Sequence, residues 1–166
     1  MDAAFRWLSP LGASVALFLA WGLVWAAGLV GLPLLFARGF PPWLLFSARA
    51  DAALFGAPPD AIRAAQPAAA EAQWFLSYLI GIGVTSAGVA IVCIAWFGLR
   101  RGEVWAFWSL VAAAVPLAAL YPYAISRYVR LGVTLGLGDL QPFVTIPALL
   151  VPPAIVLAWI GLAGKV

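Results

Sequence analysis

The sequence predicts an all-α integral membrane protein, a four-helix bundle with a short helical cap between its first and second spans. Three observations carry that expectation. Four stretches, 7–37, 74–99, 104–126 and 142–162, contain no Asp, Glu, Lys or Arg, and a helix needs roughly 20 apolar residues to cross a hydrocarbon core of about 30 Å. The chain is 66% hydrophobic and only 9% charged, with a mean hydropathy of +1.06, whereas soluble domains are about 25% charged. Aromatic residues also gather near the predicted span ends, Trp7, Trp96, Trp105, Trp108 and Trp159 on one side, Trp43, Trp74, Tyr78, Tyr121, Tyr123 and Tyr128 on the other. Two such groups are the belts expected at the membrane–water interfaces.

The spans are placed at about 8–36, 74–99, 104–125 and 142–162, with the cap at about 41–73, all within one transmembrane domain over 1–166. Pro10 suits the first turn of span one, where its missing N–H costs little. A secretory signal's apolar region is only about 7–15 residues, so the much longer uncharged run after Arg6 reads as a permanent span. In the connector, Ser47 is positioned to cap a short helix that Asp51 favours near its positive end and Gly56 stops. Pro58-Pro59-Asp60 opens a second short helix with Asp60 and Arg63 at i, i+3, and Pro67 begins a helix running straight into span two. The apolar cap residues Trp43, Leu44, Leu45, Phe46, Leu54 and Phe55 are expected against the bundle or the lipid interface. Arg100-Arg101-Gly102-Glu103 forms a tight hairpin, and Asp139 is placed to cap span four, which Pro147, Pro152 and Pro153 interrupt.

Positive charge sets orientation. The N-terminus, the hairpin and the C-terminus share one side, with Arg6, Arg100, Arg101 and Lys165 on short segments. The other side has five Arg, dispersed over two long connectors among Asp51, Asp60, Glu71 and Asp139. By density the first side is cytoplasmic, which puts both termini inside.

No ionisable residue lies inside a span, and the chain has no His. This removes His-ligated haem or zinc and His-based acid–base catalysis, and no metal site is expected. The net charge of +3 is too small and dispersed for nucleic acid. The lone Cys93, in an apolar run, is expected to be a buried packing thiol. Three constellations remain. Arg127 and Arg130, with Tyr123, Tyr128 and Asp139, form a candidate clamp for a phosphate or carboxylate if the third helix continues that far. Trp21 and Trp25, one turn apart at membrane depth, could wall an apolar cavity; otherwise they pack against another helix. Pro152 and Pro153 free the carbonyls of Ala148 and Leu149, as a structural kink or, in the manner of a transporter, a binding site. Small residues on span two (Gly81, Thr85, Gly88) and span four (Ala154, Ala158) suit close helix packing or partner contact.

The run Arg100-Arg101-Gly102-Glu103-Val104-Trp105 resembles the hairpin of small, uncharacterised four-span bacterial membrane proteins, which also have a long connector after their first span. That resemblance implies a four-helix bundle and no established activity. The function expected on these grounds is a non-catalytic accessory or scaffold subunit of a larger membrane complex, and the alternative is a binder or transporter of an amphipathic anion or lipid. Its partners are membrane lipids and other membrane subunits or further copies of itself. No cofactor of its own is expected, although a lipid, apolar pigment or quinone would suit the Trp wall.

Overall fold

The computed structural model describes residues 5–28, 31 and 44–164. In chain order the elements are α1 (Pro10–Ala26), α2 (Ala48–Phe55), α3 (Pro59–Ala65), α4 (Pro67–Cys93), α5 (Val104–Arg130) and α6 (Pro142–Ala163), with no strand among the described residues. A π turn (Ile94–Gly98) and a 3-10 turn (Leu99–Arg101) prolong α4, and a second 3-10 turn (Leu137–Asp139) precedes α6. Three helical stretches, Pro67–Arg101, Val104–Arg130 and Pro142–Ala163, are long and apolar enough to cross a membrane. The far end of the predicted first span, and Trp43 in the cap, lie outside the described residues.

Local chemistry explains most boundaries. Ser9 caps α1 by accepting the Gly12 N–H at 3.1 Å, and Pro10 occupies the first turn as expected. Ser47 accepts the Ala50 N–H at 3.1 Å, and α2 stops at Gly56, whose φ of 73° suits a residue without Cβ. Arg63 donates to Asp60 at 2.9 Å, the predicted i, i+3 pair. The hairpin turns at Gly102, with φ 80°. Glu103 does sit just before α5, but its side chain makes no capping bond.

α1 lies at the centre of the bundle and packs on both α4 and α6. Its Val15, Phe18 and Trp21 are completely buried, together with Leu110 of α5 and Ala154 and Ala158 of α6. The helices meet backbone to backbone where glycine allows it. A Cβ on Gly88 of α4 would lie 2.4 Å from the Ala26 nitrogen and 2.7 Å from the Gly22 oxygen, and one on Gly161 would lie 2.6 Å from the Leu11 nitrogen. Between these crossings Ser14 donates to the Ala154 carbonyl at 2.8 Å.

The outside is as apolar as the inside. Leu79, Leu120 and Leu149 are 64%, 66% and 71% exposed, and the apolar windows of the three spanning helices are only 28%, 22% and 28% buried. Such a surface belongs in lipid, because monomers in water rarely show apolar patches above a few hundred Å². The protein is accordingly a membrane protein with transmembrane helices. Trp7, Trp96, Trp105, Trp108 and Trp159 are all exposed around the hairpin end, where the sequence placed one aromatic belt. Cys93 is a correction. It faces outward rather than into the core.

Candidate functional site

Helix α5 runs through Pro122 to Arg130, past the end near 125 predicted for it. Tyr123, Arg127 and Arg130 therefore fall at i, i+4 and i+7 on one exposed face. Arg127 and Arg130 form no ion pair among the described residues. Tyr121 and Tyr128 lie about 140–160° around the helix from Tyr123 and face the cap instead. Tyr128 is buried, and its hydroxyl donates to Asp51 at 3.2 Å. Asp139 joins neither group, so the five predicted ligand residues do not converge. Nor does Asp139 cap α6, as the sequence suggested. Gln141 occupies the N-cap position, and Asp139 ends the preceding turn.

What converges is the cap. The bend 44–46 lies over the ends of α4, α5 and α6, and its backbone is captured at nearly every polar atom. Asp51, completely buried, accepts the N–H groups of Leu44 at 2.6 Å, Leu45 at 3.0 Å and Phe46 at 3.3 Å. Gln73 of α4 donates to the Leu44 carbonyl at 3.3 Å and Gln141 to the Leu45 carbonyl at 2.7 Å. The Phe46 ring stands edge-on to Tyr128 at 4.6 Å and lies 5.7 Å from Tyr121. Four donors on one carboxylate offset the cost of burying it. Sequence reading placed Asp51 only as a helix-end charge. A carboxylate one turn into a short helix, preceded by Pro-led aromatics, was the available signal.

A second latch lies alongside. Asp139 pairs with the Arg49 guanidinium and also accepts from Ser47 at 2.6 Å and Gly136 N–H at 2.8 Å, while Arg49 reaches the Thr134 carbonyl at 2.9 Å. The Arg49 and Ser47 side chains and the Gly136 N–H hold the Asp139 carboxyl down to about 2. A carboxyl depressed in the folded state adds stability that is complete above its unfolded value near 3.9 and is lost as pH falls through about 2. Pepsin cleavage within 44–66, normalised to an unfolded substrate at each pH, should therefore rise between pH 4 and pH 2. Asp139→Asn should remove that part of the rise, and an unchanged profile in the variant would show that Asp139 does not govern it.

The two Trp residues of α1 separate in role. The Trp25 indole donates to the Phe143 carbonyl at 2.6 Å, the acceptor that Pro147 leaves without its helical donor. Trp21 is completely buried, edge-on to Trp25 at 5.2 Å. Its indole nitrogen and the Thr85 hydroxyl have no hydrogen-bond partner among the described residues. Gly81 and Gly88 are buried on α4, and Gly88 meets α1. Ala154 and Ala158, the small residues predicted on span four, are buried as well. Sequence reading missed Gly22 and Gly161, the other glycines at the crossings of α1.

No protein-family model, curated protein or solved structure matches this chain.

Proposed function

We propose that this chain is a non-catalytic accessory or scaffold subunit of a larger membrane protein complex, a four-span bundle whose first span includes α1. One observation carries the reading. The side-chain hydrogen bonds between the described helices of the bundle serve its own construction, Ser14 and Trp25 on helix carbonyls, while the apolar exterior of all three long helices stays open to neighbours. The uncharged run around α1, and its place between α4 and α6, support a fourth span. The resemblance of the Arg-Arg-Gly-Glu-x-Trp hairpin to that of small bacterial four-span proteins supports a bacterial inner membrane. Gentle extraction of the native protein tests the reading. Partner polypeptides should accompany it in fixed stoichiometry through two orthogonal purification steps.

Exposed Arg127 and Arg130, aligned with Tyr123 at the cap-side interface, favour a second reading, in which the protein binds an amphipathic anion or lipid headgroup there. A native monomer that carries bound lipid, and loses it on Arg127→Ala with Arg130→Ala, would replace the scaffold reading with this one.

The density of positive charge on short segments supports cytoplasmic termini. Reporters fused at Gly102 and after Val166 should both read cytoplasmic, and one inserted within 56–66 external. The reverse pattern would mean that the dispersed Arg of the cap side decide orientation.

A further inference from the structure

At the hairpin end of the bundle one cation is held in place and left without a counter-ion. The Arg100 guanidinium stands 4.4 Å from the centre of the Trp96 ring and 5.3 Å from that of Phe5. Trp96 lies four positions earlier on the same helical stretch, and a helical side chain leans toward the N-terminus of its helix. Arg100 therefore lies back over the ring, toward the membrane instead of out into water. Phe5 comes from the segment before α1 and stands edge-on to Trp7 at 5.0 Å, and Trp7 lies 6.2 Å from Trp96. Rings from two separate segments thus fix the position of one guanidinium.

Its charge is not spent within the described residues. Arg100 forms no ion pair among them. The helix end does not need it either, because the Gly98 and Leu99 carbonyls accept the N–H groups of Glu103 at 3.3 Å and Gly102 at 2.8 Å. Arg6 and Arg101, both exposed, add positive charge at the same end, where Glu103 is the one acid among the described residues. The stacking also leaves the binding edge open. A ring covers the flat face of a guanidinium, whereas its five N–H donors lie in its plane and match two oxygens of one phosphate.

We propose that this cluster is a headgroup site for an anionic phospholipid, with Arg100, seated on Trp96 and Phe5, donating to the lipid's phosphate oxygens. Depth selects the class of occupant. Trp7, Trp96 and Trp105 are exposed around the site, and such a belt marks the headgroup level, where lipid phosphates are the oxyanions at hand. Charge selects within the class. A zwitterionic headgroup carries its own amine beside the phosphate, so the surplus positive charge of Arg6 and Arg101 favours a headgroup with net negative charge. The site lies at the opposite end of the bundle from Arg127 and Arg130, and it does not depend on the assembly reading.

Native mass spectrometry of the full chain in neutral detergent tests it, with dioleoylphosphatidylglycerol and dioleoylphosphatidylcholine titrated as probes. Phosphatidylglycerol should bind about tenfold more tightly, and inorganic phosphate in large excess should not displace it. Arg100→Gln should weaken that binding about tenfold, and Arg100→Lys, which keeps the charge without the planar fork, should not restore it. Trp96→Leu leaves every charge in place and should still cost about threefold, because the platform is gone. Arg101→Gln removes the same charge as Arg100→Gln from a side chain with no ring against it among the described residues, and should cost less than about twofold. Equal binding of the two lipids, displacement by inorganic phosphate, or equal losses for Arg101→Gln and Arg100→Gln would each overturn the site. So would unchanged binding in Trp96→Leu, which reports even if Arg100→Gln fails to fold. Binding lost on Arg127→Ala with Arg130→Ala but kept in Arg100→Gln would place the lipid at the cap end and overturn it too.

Discussion

Gly88→Leu should break the packing of α1 on α4. A Cβ at position 88 would meet the Ala26 nitrogen at 2.4 Å, the Gly22 oxygen at 2.7 Å and the Trp25 Cβ at 2.7 Å. Two of those three atoms belong to backbone, so no rotamer change makes room and the helices themselves must part. Overpacking a tight site costs roughly 1–3 kcal/mol, occasionally more, and leucine adds three more carbons beyond the Cβ. The separation would also disturb Trp25, whose indole ties α1 to the Phe143 carbonyl of α6. We expect the midpoint of SDS-induced unfolding to fall sharply. Gly83→Leu is the control on the same helix, because a Cβ there meets nothing within 4 Å. Comparable losses for the two variants would show that leucine harms α4 by some route other than this crossing.

How much of this was legible depended on how local the cause is. Ser47, Gly56, Pro59, Pro67 and Gly102 act on their own neighbours in sequence, and the cap helices and the hairpin accordingly lie where the residues predict. The Asp60–Arg63 pair belongs to the same class, one helical turn apart. Faces were harder to read. Hydropathy has no inside and outside when lipid is as apolar as the core, so nothing in the run around Cys93 marked it as outward. Membrane helices lose the amphipathic period that orients soluble ones. Small residues recover part of it, and Gly88, Ala154 and Ala158 are indeed at buried packing positions. Their counterparts Gly22 and Gly161 escaped notice because pairing them requires the register of α1.

Least legible were the bonds that tie distant segments. Arg49 meets Asp139 ninety positions away, and Tyr128 meets Asp51 across seventy-seven. The second requires α5 to continue past Pro122 as far as Tyr128. Proline usually ends or kinks a helix, and the sequence accordingly suggested an earlier stop. Once the helix continues, Tyr128 turns to the cap while Arg127 and Arg130 turn outward, and the predicted anion clamp divides. The Trp25 bond was half visible. Its indole clearly needed an acceptor, and Pro147 supplies one by freeing Phe143, but only the packing of α1 on α6 brings them together.

Asp51→Ala should release the cap while leaving the bundle folded. The substitution deletes the one acceptor for the Leu44, Leu45 and Phe46 N–H groups and for the Tyr128 hydroxyl, at a position with no exposure to solvent. Each buried donor left unsatisfied costs about 1–3 kcal/mol, so several at once outweigh the contacts that remain, the Phe46 ring on its two tyrosines and the Gln73 and Gln141 bonds. Local release is favoured over global unfolding because the core around Val15, Phe18 and Leu110 contains no cap residue. Protease should then cut within 44–66 in the intact membrane, where the unaltered chain should resist, while SDS resistance of the bundle changes little. Tyr128→Phe isolates one arm of the latch. Alone it should loosen the cap by about 1–1.5 kcal/mol, and on top of Asp51→Ala it should add almost nothing, since the acceptor is already gone. Additive losses would place Tyr128 and Asp51 in separate interactions. A cap that stays protected in Asp51→Ala would transfer the anchoring role to the Arg49–Asp139 pair beside it.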